Sequence, residues 1–185
     1  MMKSLSIKQA ATALMMGEVI AYPTEAVWGL GCDPWQEEAV HQVLTIKERP
    51  VNKGLIIVAA NLKQIAPLID PLSAPQQEIL KSSWPGHITW LIADYNNWLP
   101  SWIKGDFTTV AVRVSAHPIV NQLCLEFGKP IVSTSANKAG ESSLDTQGIQ
   151  RTLGTSLGGI VSGSLGDQLK PSVIKDLASG NVVRQ

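Results

Sequence analysis

The run Thr109-Val-Ala-Val-Arg-Val-Ser-Ala-His-Pro-Ile-Val-Asn-Gln-Leu-Cys-Leu-Glu-Phe-Gly-Lys-Pro-Ile-Val-Ser-Thr134 decides the fold class. Residues 109–114 read as a strand, 118–127 as a helix and 130–134 as a second strand. Strand alternation gives Val110, Val112 and Val114 one face, leaving Ala111, Arg113 and Ser115 on the other. That sets an arginine fork beside small residues, with room for a carboxylate to approach. A solvated sheet face or a guarded edge strand gives the same pattern.

The alternation extends outward in both directions. Strands are predicted at 18–22, 54–60, 87–93, 159–161, 172–174 and 182–183, and helices at 37–47, 62–69, 75–81 and 147–153. A Pro- and Gly-punctuated loop is expected from residue 23 to Asp33. The first helix falls between Met1 and Met16, with Ser6 and Gln9 in a capping-box pattern and Gly17 as its stop. This is an α/β pattern (α+β by stricter definitions), and no linker or repeat divides it, so 1–185 is expected to be one domain.

Composition narrows the class. Hydrophobic residues make up 44% of the 185 and charged residues 16%, as in a globule with a real core. The 15 basic and 15 acidic residues cancel, so nucleic acid would have to be held by a local patch rather than a net field. No run of about 18 apolar residues occurs, which predicts no membrane span. Cys32 and Cys124 are too few for a disulfide framework, and a reducing cytoplasm is expected. His41, His87 and His117 are isolated from one another and from the cysteines, so no built-in metal site is expected. No phosphate-binding P-loop appears, and Gly29 and Gly31 lack the third glycine of a dinucleotide fingerprint.

Several residues stand out of place. The apolar stripe Val40, Val43, Leu44 is followed on the same face by Lys47, and Pro50 disfavours helix at Arg49. Lys47 and Arg49 are therefore expected together at an exposed helix end, with Lys53 close behind. Such a cluster can bind a polyphosphate, or merely complement a helix C-terminus. Ser133-Thr-Ser-Ala-Asn137 ends a strand with donors suited to an anion, or to ordinary turn chemistry. Tyr22-Pro-Thr-Glu25 ends the first strand similarly, and Trp84-Pro-Gly86 marks a tight turn.

Together these segments resemble the YrdC-like family of threonylcarbamoyl-AMP synthases, in a short bacterial (TsaC-like) form. The match runs through Tyr22-Pro-Thr-Glu-Ala-Val-Trp-Gly-Leu-Gly31, Lys47-Glu-Arg-Pro50, Trp84-Pro-Gly-His-Ile-Thr89, Val112-Arg113, Ser133-Thr-Ser-Ala-Asn137 and Pro171-Ser172, in family order. The resemblance implies an open twisted mixed sheet with helices and a basic concave face. It implies that L-threonine, bicarbonate and ATP become threonylcarbamoyl-adenylate and pyrophosphate. Partner proteins would then pass the threonylcarbamoyl group to a tRNA adenosine beside the anticodon.

By motif position, Lys47 and Arg49 would be catalytic. Arg49, Lys53, Thr109, Ser135, Asn137 and Ser143 would bind ATP, and Thr24, Arg113, Ser133 and Ser172 would bind threonine. Mg²⁺ would arrive on the ATP phosphates, with no tightly bound cofactor. Glu25 is the one acidic residue in the matched motifs that could act as a base. Three positions depart from the family pattern: Val58 stands where longer members carry a threonine-contacting histidine, Val173 replaces a threonine and Ser115 a proline. Two other functions fit parts of the pattern: an RNA-binding module in ribosome or rRNA maturation, with weak RNA binding also conceivable beside catalysis, and adenylation of plain carbamate.

Overall fold

A computed structural model of the chain describes residues 2–138 and 140–184. Strand β1 (Ser4–Leu5) leads into helix α1 (Ile7–Met15). The Ser6 hydroxyl accepts from the Gln9 N–H at 3.3 Å and the Gln9 side-chain oxygen accepts from the Ser6 N–H at 2.9 Å, closing the expected capping box. Gly17, at φ 80°, turns the chain out of the helix. There follow β2 (Ile20–Pro23), β3 (Trp28–Gly31), α2 (Glu37–Ile46), β4 (Ile56–Ala59), α3 (Ala66–Ile69) and α4 (Ala74–Ser83). Then come β5 (Ile88–Ala93), α5 (Ser101–Lys104), β6 (Thr109–Val114), α6 (Pro118–Phe127) and β7 (Ile131–Ser135). The chain closes with α7 (Thr146–Leu153), β8 (Gly159–Val161), β9 (Val173–Asp176) and β10 (Val182–Arg184).

All ten strands join one mixed sheet, in the order β1-β8-β2-β3-β7-β4-β6-β5-β9-β10. Strand β4 runs parallel to β6, with Ile56 opposite Ala111 and Val58 opposite Arg113. It runs antiparallel to β7, with Ile56 opposite Ser133 and Val58 opposite Ile131. Ala111, Ile56 and Ser133 thus form one row across three strands, and Arg113, Val58 and Ile131 the next.

Strand alternation divides the core. Ala21, Ile57, Ala59, Val110, Val112, Val114 and Val132 face a layer that includes apolar side chains of α2, α3, α4, α5 and α7. Ile20, Tyr22, Val58 and Ile131 face the other way, onto α1 and α6. Those two helices cover only part of their face. Where they stop, the residues of the Ala111–Ile56–Ser133 row open into cavities.

The expected loop after residue 23 instead contains β3, paired with β2 and β7. Its glycines hid it, because glycine is depleted in strands. They are needed for packing: a Cβ on Gly31 would lie 2.6 Å from Tyr22 Cε1, and one on Gly29 3.3 Å from Tyr22 Cζ. The buried Tyr22 ring lies across both, and its hydroxyl donates to the Val132 carbonyl at 3.2 Å. Strand β1 and the short α5 were also absent from the sequence reading, being only 2 and 4 residues long.

Candidate substrate site

Two cavities adjoin on the uncovered part of the sheet. The first, about 110 Å³, is lined by Thr24, Arg113, Ser133 and Ser172 together with Gly29, Ile56, His87, Ser135 and Arg184 among others. All four residues assigned to threonine by motif position therefore converge, although they stand as far apart in the chain as Thr24 and Ser172. The β-strands do this: Thr24 follows β2, Arg113 lies in β6, Ser133 in β7, and Ser172 immediately precedes β9. The Ser172 hydroxyl is 2.7 Å from that of Thr89, and the Thr24 hydroxyl donates to the Val27 carbonyl at 2.7 Å.

Arg113 is buried, so the solvated-face alternative is overturned. Its Nη1 lies 2.9 Å from Glu25 Oε2 and 3.3 Å from His87 Nδ1. Glu25 Oε1 accepts from the Ser115 hydroxyl at 2.6 Å. Burial alone would raise the Glu25 pKa, but the Arg113 guanidinium and the Ser115 hydroxyl outweigh it and hold the carboxyl below its ordinary value. A carboxylate so stabilised is a poor proton acceptor, which makes Glu25 a counter-ion for Arg113 rather than a base. The buried Arg113 Nε has no hydrogen-bond partner, the state of a donor that a ligand could satisfy.

The helix end at Lys47 differs from expectation. Glu48 takes a left-handed conformation at φ 50°. Its N–H donates to the Thr45 carbonyl at 3.1 Å and that of Arg49 to the Leu44 carbonyl at 3.0 Å, the paired bonds of a Schellman ending. Beyond this reversal the two cations find different partners. Lys47 is only 3% exposed, and its Nζ donates to the carbonyls of Ser135 at 2.6 Å and Asn137 at 2.7 Å. Burial, then the neighbouring Arg49 charge, pushes its pKa down to about 8. The expectation that Lys47 and Arg49 are presented together is corrected accordingly: Lys47 is turned inward along the apolar stripe that precedes it.

Arg49 stays at the surface side, its guanidinium donating to the carbonyls of Gly54 and Lys53. With Lys53, Lys104, Thr109, Phe107 and Ile174 it borders the second cavity, about 230 Å³. Ile56 and Arg184 line both cavities and form the wall between them. Of the other residues assigned to ATP, Ser135 lines the first cavity. Asn137 and Ser143 line neither: the Asn137 amide donates to the carbonyls of Lys138 and Glu141, and Ser143 lies exposed on the following loop.

Glu25's pairing, His87 and Arg184 escaped the sequence reading. His87 and Arg184 flank β5 and β9–β10, whose pairing only the fold reveals. Val58 packs beneath α1 and α6 and lines neither cavity. No carboxylate lines either cavity among the described residues, and no cluster of three or more His, Cys, Asp or Glu is placed to hold a metal. No helix among these residues is long and apolar enough to cross a membrane.

Comparison with known proteins places this geometry in a family. Threonylcarbamoyl-AMP synthase of Cellvibrio japonicus (strain Ueda107) is 49% identical over 179 residues, covering 96% of this chain and 94% of that protein. The crystal structure of P. abyssi Sua5 complexed with L-threonine matches with a TM-score of 0.84 at 30% identity. That match covers 95% of this chain and 52% of the P. abyssi chain, so the present chain spans about half of it. E. coli YciO shares the fold, with a TM-score of 0.87 at 24% identity over 100% of this chain and 96% of its own. The family Sua5_yciO_yrdC, described as "Telomere recombination", matches residues 12–185, and the chain belongs to it.

Proposed function

We propose that this chain is a threonylcarbamoyl-AMP synthase, which condenses L-threonine, bicarbonate and ATP into threonylcarbamoyl-adenylate and pyrophosphate for modification of tRNA. One observation carries the reading: Thr24, Arg113, Ser133 and Ser172 converge on a small cavity that shares a wall with a cation-bordered one. Two substrates held on either side of Ile56 and Arg184 would meet there. The name of the 49%-identical relative and the threonine bound by P. abyssi Sua5 support it.

In this reading Arg113 receives the threonine carboxylate, and the hydroxyls of Thr24, Ser133 and Ser172 hold its polar groups. Bicarbonate breaks a C–O bond to give carbon dioxide, and the departing hydroxide takes one proton from the threonine ammonium to form water. The freed amine attacks the carbon dioxide, and the new N–C adduct gives its second proton to water, leaving a carbamate anion. A carbamate oxygen then attacks the α-phosphorus of ATP. As that P–O bond forms, the bond to the β-phosphate bridging oxygen breaks and pyrophosphate departs. The protein's part is placement and charge neutralisation, because the nucleophile is already an anion.

Arg49, Lys53 and Arg184 take the phosphates, aided by the hydroxyls of Thr109 and Ser135. Lys47 acts differently, holding the Ser135 and Asn137 carbonyls and so the shape of the phosphate-facing loop. Asn137 and Ser143 reach ATP only where it extends past both cavity linings. Mg²⁺ enters on the ATP phosphates, since the cavity linings offer it no carboxylate. Protein partners would carry the product to tRNA. Two free, buried cysteines suit a reducing cytoplasm, where the reaction is placed. Pyrophosphate release measured with each substrate left out in turn tests the reading. Release that continues without threonine would refute it.

A further inference from the structure

Residues 162–172 join β8 to β9 and lie against the first cavity, which Pro171 and Ser172 line. Two main-chain bonds pin this segment to the end of β2: Gly166 N–H to the Thr24 carbonyl and Gln168 N–H to the Glu25 carbonyl, each 3.0 Å. Two imidazoles hold it by its own carbonyls. His117 Nε2 lies 3.1 Å from the Ser164 oxygen, and His87 Nε2 lies 2.8 Å from the Lys170 oxygen.

His87 does something His117 does not. Its ring lines the cavity, and its Nδ1 lies 3.3 Å from Arg113 Nη1. A carbonyl can only accept and a guanidinium can only donate. The two partners therefore assign the ring a proton on Nε2 and a lone pair on Nδ1. The imidazole is a relay with one end on the segment and the other on the guanidinium. Glu25 holds Nη1 from the other side, and Arg113 Nε has no partner, so the aim of the fork rests on few contacts.

We propose that His87 is a positioning residue that couples the 162–172 segment to Arg113, so that the guanidinium is aimed at an amino-acid carboxylate only while the segment is docked. Resting on the functional reading above for the identity of that ligand, the coupling gives this chain a means of sensing segment closure at the carboxylate end of the cavity. Loss of the ring should loosen the segment and misaim the fork together.

The test uses full-length wild type, His87→Ala and His87→Gln. Amide exchange at Gly166 and Gln168 is measured without ligand, and threonine and ATP binding by calorimetry. His87→Ala should speed exchange at both amides and weaken threonine binding roughly tenfold, a loss of about 1.4 kcal/mol. ATP binding should hardly move. His87→Gln, whose amide has a donating NH₂ and an accepting oxygen, should recover most of both effects. Faster exchange with threonine binding intact would reduce His87 to a loop anchor and overturn the coupling. Weaker threonine binding with unchanged exchange would overturn it too, as would equal losses in both variants. Wild-type protein that takes up no threonine would sink the functional reading itself, and the coupling with it; failure of the coupling alone shows only in the variants.

Discussion

Four side chains carry the strongest consequences at the scale of the residue. Arg113→Lys keeps the charge and loses the fork that fits a carboxylate. Losing part of a charge-assisted hydrogen bond should raise the threonine requirement roughly tenfold, at about 1.4 kcal/mol per factor of ten. ATP binding without threonine should move far less, and steady-state kinetics beside direct ATP titration checks the contrast. Lys47→Ala removes a buried donor from two main-chain carbonyls. It should lower stability by about 1–3 kcal/mol, the cost of leaving such a group unpaired. Arg49→Ala should abolish pyrophosphate release, and losing its bonds to the Gly54 and Lys53 carbonyls should cost about 0.5–1.5 kcal/mol of stability. Glu25 brings a pH dependence. Its folded pKa lies below the ordinary 4.5, so its ionised form contributes stability above pH 4.5. That contribution disappears as pH falls through the lower folded value. Denaturant melts from pH 7 to 3 should show this acid limb, and Glu25→Gln should flatten it. The same variant should lose about 3–5 kcal/mol at neutral pH, because a buried guanidinium is left without its counter-ion.

Among the elements, the end of α2 decides where two cations go, and a single left-handed residue decides the end of α2. Glu48 is neither Gly nor Asn, the usual occupants of that conformation. Glu48→Val should lower stability by about 1–2 kcal/mol, since a β-branched side chain resists positive φ. Glu48→Gly should be neutral or stabilising, and chemical denaturation of the pair checks the difference. The same residue marks the limit of what the sequence revealed. The inward turn of Lys47 follows from the stripe at Val40, Val43 and Leu44, but nothing in Glu48 announces a Schellman ending, so Arg49 was expected on the same side. Strand β6 and helix α6 were legible to the residue because valine alternation and a ten-residue helical run are strong local signals. Strand β3 was not, because its glycines answer to the Tyr22 ring in a neighbouring strand. Thr24, Arg113, Ser133 and Ser172 were legible through motif resemblance. His87 stands within a matched motif but without an assigned role, and Arg184 outside every motif; the pairing of β5, β9 and β10, a non-local fact, brings both to the cavity.

Over the whole molecule, the site exists because α1 and α6 cover part of one sheet face and leave the rest open. Strands rooted in the core beneath these helices run out under both cavities, so the sheet forms the floor of the site and segments such as 162–172 part of its rim. Arg184, on the short edge strand β10, closes the wall between the cavities. Arg184→Ala should therefore weaken threonine and ATP binding alike, each by roughly threefold or more for loss of a partly exposed charge contact of about 1 kcal/mol. Calorimetry on each ligand alone would detect this, and a defect confined to one ligand would show that the arginine serves a single cavity. The shared wall also has a thermodynamic consequence. Any occupant that shifts Ile56 or Arg184 alters the space offered to the other, and equilibrium binding requires the influence to be mutual. If a non-reacting ATP analogue changes the affinity for threonine by some factor, threonine must change the affinity for the analogue by that same factor. Neither substrate can be said to prepare the site for the other without being prepared for in return.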